Sequence, residues 1–354
     1  MPIRNQQPVF AGACTAFGFK SLFAEIFRPE DFERVYILKG SRGSGKSHII
    51  KKLAAECEKQ GREYELFACS FDPSSLDGII ISRPQVCVID GTPPHTVDPL
   101  YHGAVEVVVD TARGLDQDAL GARRDKIIKL CKQSNTFFGK SYSYLRTALE
   151  IQNNLIDIIS ENFQFGKSFS AIKRFSDKNF NFGGGYCRIP RFTKVYTKDG
   201  IYESNAFFER AERKCLILDK YDCGHILLNE LAQSAARYEQ PTILSFSPLD
   251  CEKINGIYLP RLNMAFQTAR ECSDREDFYH VFNMARFVDK NTIAKSKYKI
   301  RFLRKCLGGL NDSAVGSLNE AYRAHSELEK LYSESIDFSY NDKIYLDLCE
   351  KIFK

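Results

Sequence analysis

The chain has no C-x-x-C pair, no run approaching the roughly 18 apolar residues of a membrane span, and no strong excess of one charge. Its twelve cysteines are therefore not spaced as a zinc site, and several (Cys69, Cys87, Cys215) sit in apolar runs where cysteine behaves as a small hydrophobe. Buried thiols are expected, without zinc or disulfides. The start, Met1-Pro2-Ile3-Arg4-Asn5, lacks the apolar core of a signal peptide, so a cytoplasmic protein with no membrane partner is expected. Fifty Lys and Arg against 45 Asp and Glu leave a net charge of +5, too mild to argue for or against nucleic acid. An N-K-x-D guanine-reading motif is also missing, which favours ATP over GTP. What remains is a chain of 354 residues, 44% hydrophobic, long enough for two domains with real cores.

Its most informative stretch is Gly40-Ser41-Arg42-Gly43-Ser44-Gly45-Lys46-Ser47, a complete G-x4-G-K-S phosphate-binding loop placed directly after the apolar run Val35 to Leu38. A strand ending in glycines and leading into a helix aims successive backbone N–H groups and the positive helix end at one concave spot. Glycine permits the positive φ that such a loop needs. Lys46 is expected to reach the β- and γ-phosphates and Ser47 to ligate Mg²⁺, with Gly40 to His48 forming the nucleotide cradle. The helix follows, with Ile49, Ile50, Leu53 and Ala54 on one face and Lys51, Lys52, Glu56 and Lys59 on the other.

Gln60-Gly61-Arg62 breaks that helix and Tyr64 to Cys69 reads as the next strand, completing a βαβ unit. The run Val86-Cys87-Val88-Ile89 then closes on Asp90, the pattern of a Walker B strand, which assigns Asp90 to Mg²⁺. Many ATPases place a glutamate after that acid to activate water, and here the position is Gly91. His95, Asp98, Asp72 and Asp77 all fall at strand ends, where ligands of open α/β sheets sit. His95 or Asp72 is the candidate for orienting the attacking group; the alternative is that His95 and Asp98 order a Pro-rich turn and Asp72 opens an Asp-Pro turn. From 115 to 162, apolar residues at helical spacing predict a helical hairpin, read either as a lid or as packing against the module.

A faint internal repeat follows. Cys215 to Leu218 with Asp219 to Ile226 superposes on Tyr36 to Ser47, while Asp250, Ile254, Gly256 and Leu259 fall where Asp72, Leu76, Gly78 and Ile81 fall. The chemistry is gone from this copy: Asp219 replaces Gly40, His225 replaces Lys46, Ile226 replaces Ser47 and Thr268 replaces Asp90. The resulting division is a P-loop module over 1–162, a linker over 163–198 and a degenerate P-loop-like module over 199–354. The fold class expected is α/β, a P-loop NTPase with two tandem parallel-sheet modules and helical insertions.

Phe10-Ala11-Gly12-Ala13 with Gly18-Phe19, the loop Gly40 to Ser47, Cys69 to Gly78, Ile89 to Pro99, Ala324 to Lys330 and Ile336-Asp337-Phe338 carry a resemblance over nearly the whole chain. On these stretches the protein resembles a family of uncharacterised bacterial ATPases built from two tandem P-loop modules. The resemblance implies ATP binding and supplies no substrate. Both modules of that family look capable of binding nucleotide, and this chain departs from the pattern at Asp219 to Ile226.

Residues 163–198 interleave Phe163, Phe165, Phe169, Phe175, Phe180, Phe182, Tyr186 and Phe192 with Lys167, Lys173, Arg174, Lys178, Arg188, Arg191 and Lys194. Rings beside cations suit single-stranded nucleic acid, and they suit equally a linker whose phenylalanines dock on the modules. The tail, with Val315, Leu318, Tyr322, His325, Leu328 and Tyr332, predicts an amphipathic helix in which His325 is an interface residue. The function expected is Mg²⁺-dependent ATP binding and slow hydrolysis at one site, with the second module as scaffold or regulator. The alternatives are a small-molecule kinase with Asp72 or Asp77 as base and an ATP-gated nucleic-acid binder. A homodimer stays open as a partner.

Overall fold

The computed structural model describes residues 7–271 and 277–354, so the start read above, Met1 to Asn5, lies outside the described residues. A hairpin of β1 (Gly12–Thr15) and β2 (Gly18–Ser21) and a short helix α1 (Phe23–Ile26) open the first half. They lead into β3 (Arg34–Lys39), α2 (Lys46–Gln60), β4 (Tyr64–Ala68), β5 (Leu76–Ile81), β6 (Val86–Asp90) and β7 (Glu106–Asp110). The five strands lie in the order β4-β5-β6-β3-β7, with β3 parallel to β6 and β7, and β5 antiparallel to both its neighbours. Val35 to Leu38 are all buried, as a central strand covered on both faces requires. Helix α2 buries Ile49, Ile50, Leu53, Ala54 and Cys57 and stops at Gly61, whose φ of +64° lets Arg62 N–H bond back to the Cys57 carbonyl at 2.9 Å.

Three helices follow: α3 (Gln117–Ala122), α4 (Arg124–Ser160) and α5 (Phe165–Asn179). The second half repeats the plan. After β8 (Arg188–Arg191) come the hairpin β9 (Lys194–Thr197) and β10 (Gly200–Glu203), then α6 (Ala206–Arg210), β11 (Arg213–Leu218), α7 (His225–Arg237), β12 (Thr242–Phe246), β13 (Ile254–Leu259), β14 (Met264–Ala269) and β15 (His280–Asn283). It ends with α8 (Lys290–Lys295), α9 (Lys297–Ser333) and α10 (Ser339–Phe353). Its sheet, β15-β11-β14-β13-β12-β8, matches the order β7-β3-β6-β5-β4 with one strand added. β3 and β11 begin at Arg34 and Arg213, and β5 and β13 at Leu76 and Ile254, spacings of 179 and 178. Thr268 pairs with Ile217 as Asp90 pairs with Leu38, so it stands at the register of the acid.

The segment read as a helical hairpin is instead one 37-residue helix, α4, preceded by the six-residue α3. A hairpin and a straight helix share one apolar period, and the single glycine near the middle of α4, Gly139, costs only about 1 kcal/mol relative to alanine and does not turn the chain. Its partner is α9, also 37 residues long. Leu145, Ala148 and Leu149 meet Ala314, Leu318 and Ala321, and Leu130 meets Ala324, Leu328 and Leu331, so the two helices run antiparallel over about 55 Å. Alanine at these contacts permits close approach of the axes.

Residues 163–198 are likewise not a linker. They form α5, β8 and β9, and Phe163, Phe175, Phe180 and Phe192 are buried, which leaves Phe165, Phe169, Phe182 and Tyr186 as the exposed rings of the segment. Helix α5 belongs by sequence to the first half and packs on the second: Phe175 sits 5.9 Å from Phe266 and 5.1 Å from Phe282, and Ser168 bonds Glu230 at 3.0 Å. Helix α10 returns the exchange, with Asp342 2.7 Å from Lys52 and Asn341 reaching the loop before α2. The second copy therefore begins at β8 rather than at residue 199. Phe10 and Phe192 exchange backbone hydrogen bonds of 2.9 and 3.0 Å between the halves, and Glu65 on β4 is gripped by Arg191 at 2.9 Å and Arg210 at 2.8 Å from the other half. Such exchange joins the two sheets through one continuous buried core.

Candidate functional site

Between β3 and α2, Gly43 (φ +71°) and Gly45 (φ +82°) turn the chain through the left-handed region. A Cβ at Gly40 would lie 2.2 Å from Thr111 Oγ1, and one at Gly43 2.7 Å from the Glu329 carbonyl oxygen, so the loop is pressed between its own sheet and α9. Lys46 is buried and donates to the carbonyls of Ser41 at 2.8 Å and Gly40 at 3.4 Å, with Asp90 Oδ2 3.6 Å away. Ser47 Oγ accepts the Leu76 N–H at 2.9 Å. Asp90 Oδ1 accepts the Thr92 N–H and hydroxyl at 2.9 and 2.6 Å, which orients the other carboxylate oxygen toward Lys46. The Arg42 Nη1 and Ser41 Oγ are buried without any hydrogen-bond partner. Leaving a buried charged donor unmet is costly, on the order of 1–3 kcal/mol or more, and an anion in the loop would relieve it.

Arg42, Lys46, Ser47, Asp90 and Thr92 line a cavity of about 1070 Å³ at the carboxyl ends of β3 and β6. The long helices complete its wall, with Asn135, Phe138, Gly139 and Tyr142 of α4 and His325, Glu329 and Lys330 of α9. His325 Nε2 lies 3.3 Å from Glu329, and this hydrogen bond, helped by the charges of Arg42 and Lys46, holds the Glu329 carboxyl below its ordinary value. Asn341 of α10 donates to the Ser44 carbonyl at 2.6 Å. The second half thus supplies a wall and a clamp to the loop of the first. Sequence reasoning treated His325 as an interface residue and missed Glu329, Lys330 and Asn341. An amphipathic period marks the face a helix buries, and carries no signal for which loop that face will cover.

Of the four candidate groups at strand ends, the structure brings two together. His95 Nε2 lies 3.6 Å from Asp77 Oδ2, both line the cavity, and the imidazole stacks on Phe23 at 4.4 Å. Burial pushes the Asp77 carboxyl up to about 6, opposed by His95 and reinforced by the nearby Asp90 charge. His95 Nδ1 is buried and unpartnered. Asp72 stands aside: its carboxylate caps Ser74 N–H at 3.2 Å and the Ser74 hydroxyl at 2.9 Å, and it is not among the cavity's lining residues. Asp98 is exposed and pairs with Lys39 at 3.0 Å. At Gly91 a Cβ would stand 2.3 Å from Ile37 Cγ2, so the sheet leaves no room there for the glutamate whose absence the sequence showed.

The equivalent loop of the second half is closed by its own side chain. Asp219 accepts N–H bonds from Tyr221 at 3.0 Å, Cys223 at 3.1 Å and Gly224 at 2.6 Å. Its carboxylate occupies the backbone donors that an anionic ligand would need, a stronger obstacle than charge repulsion alone. Arg270 and Arg304 hold Asp222 from outside at 2.9 and 3.4 Å, and burial drives His225 down to about 4, leaving it neutral. Among the described residues no helix is long and apolar enough to cross a membrane, and no group of three or more His, Cys, Asp or Glu gathers as a metal cage. No family model, no curated protein and no solved structure matches this chain.

Proposed function

We propose that the first-half loop binds Mg²⁺-ATP and cleaves its terminal phosphoanhydride bond, and that the second half is a non-binding copy that walls the site. The observation that carries this reading is the convergence on one cavity of Lys46, a loop turned by two left-handed glycines, and Arg42 with a buried N–H that no protein atom accepts. On this reading Lys46 exchanges the Ser41 carbonyl for phosphate oxygens, and Arg42 finds its acceptor there. The donor set fits the metal: the Ser47 hydroxyl and Asp90 carboxylate are hard oxygens, and Mg²⁺ is ordinarily held by one or two such groups together with phosphate oxygens and water. Bound there, it neutralises charge on the phosphates. With no side chain possible at Gly91, orienting the attacking group falls to Asp77 and His95. Phosphoryl transfer depends chiefly on positioning and charge neutralisation, so a site without a glutamate there still has its main resources.

The test is steady-state release of phosphate and ADP from Mg²⁺-ATP. Lys46→Ala is expected to lower turnover roughly 100-fold or more, the scale of losing one preorganised donor. Undiminished turnover in that variant, or failure of the wild-type protein to bind nucleotide, would overturn the reading.

A further inference from the structure

At about 1070 Å³ the cavity stands at the top of the roughly 300–1,000 Å³ range of single-ligand pockets, and its lining divides by chemistry. One side is the loop from Arg42 to His48. Another side carries Cys14, Phe19, Phe71, Phe138 and Tyr142, and His325, Glu329 and Lys330 of α9 complete the lining beside them. Phe71 and Phe138 lie 4.9 Å apart, and Phe138 stacks with Tyr142 at 6.3 Å. Asp77 and His95 stand in the same cavity, and Asp77 lies close enough to Lys46 and Asp90 to feel both charges. A compartment built only to activate water has no use for an aromatic wall.

Resting on the nucleotide reading above, we propose that this compartment binds a second substrate, a neutral ring compound with an aliphatic hydroxyl, which receives the γ-phosphoryl group. The rings supply stacking faces for a flat or cyclic body. The uncharged rings, with Asp77 as the carboxylate that the hydroxyl must approach, suit a neutral acceptor. The hydroxyl donates to Asp77; its oxygen forms a bond to the γ-phosphorus as the bond from that phosphorus to the β–γ bridging oxygen breaks. ADP leaves with that electron pair, and the hydroxyl proton passes to Asp77. A nucleoside and a monosaccharide share this acceptor chemistry.

The experiment uses the full chain with Mg²⁺ and γ-labelled ATP, with adenosine and uridine in one arm and ribose and glucose in the other. One arm is expected to take label into the acceptor, with ADP exceeding free phosphate, and the same probes to raise the melting temperature in the presence of a non-hydrolysable ATP analogue. Gly139→Leu adds a side chain where a built Cβ meets nothing within 4 Å, on a helix that tolerates leucine well. It is expected to abolish transfer and the probe's melting shift while the analogue's own shift persists. Nucleotide binding and hydrolysis with no labelled probe and no probe-induced shift in either arm would overturn this inference alone, as would transfer undiminished in Gly139→Leu. Absence of any nucleotide-induced shift in the wild-type protein would overturn the nucleotide reading beneath it.

Discussion

Glu65 joins the two halves through a buried three-residue ion cluster, and its replacement measures what that junction contributes. Burial by itself would raise the Glu65 carboxyl, yet Arg191 and Arg210 outweigh it and bring the group from 4.5 down to about 2. At roughly 1.4 kcal/mol per pKa unit, this depression corresponds to about 3 kcal/mol of folded-state preference for the ionised form. Because the folded value is the lower one, the contribution is complete above pH about 4.5 and is lost as pH falls through about 2. Glu65→Gln keeps the side-chain shape and removes the carboxylate charge that Arg191 and Arg210 share, for which a cost of about 3–5 kcal/mol is expected at pH 7. Urea unfolding of both proteins at pH 7, 5, 4 and 3 reads the difference directly. The gap should be constant between pH 7 and 5 and shrink toward pH 3, since only the wild-type protein has this carboxylate to titrate. A gap below about 1 kcal/mol, or one independent of pH over that range, would refute the assignment of the cluster as a charge-dependent junction.

Calorimetric titration should find one nucleotide per chain, because Asp219 already occupies the second loop's donors. Asp219→Ala should leave that stoichiometry at one, given His225 and Ile226, while lowering stability by about 1–3 kcal/mol as three N–H groups lose their acceptor; two nucleotides in the wild-type protein would contradict the closed loop. Asn341→Asp removes the donor to the Ser44 carbonyl and should weaken nucleotide affinity several-fold, as read by a nucleotide-displacement assay, whereas unchanged affinity would mean that α10 does not hold the loop. Gly43→Ala should cost about 1–2 kcal/mol for the left-handed backbone alone, with a further loss from the 2.7 Å approach to Glu329, detectable as a lowered melting temperature.

Much of the candidate site was readable because it is local. Residues 35–61 announce strand, loop, helix and stop within one stretch of chain, through an apolar run, glycines that accept positive φ and a stripe at helical spacing. The correspondence of the halves was readable too, since backbone order is inherited along the chain even where chemistry has changed, and Thr268 stands at the register that this correspondence assigns it. The 115–162 stretch misled for a physical reason: the apolar period identifies helix and cannot say whether it folds back on itself or lies along a distant partner, here α9.

The sequence by itself determined where the glycine loop lies, which acid and hydroxyl accompany it, and which substitutions separate the second copy from the first, because these depend on residue type and spacing. Tertiary structure alone decided that Asp77 rather than Asp72 faces the cavity, that Asp219 turns inward onto its own loop's N–H groups, and that α5 and α10 change places between the halves. Each of those is a choice among side-chain directions or docking partners that are equivalent in local pattern, and only packing across distances of a hundred residues or more, or the direction in which a strand end points, removes the degeneracy.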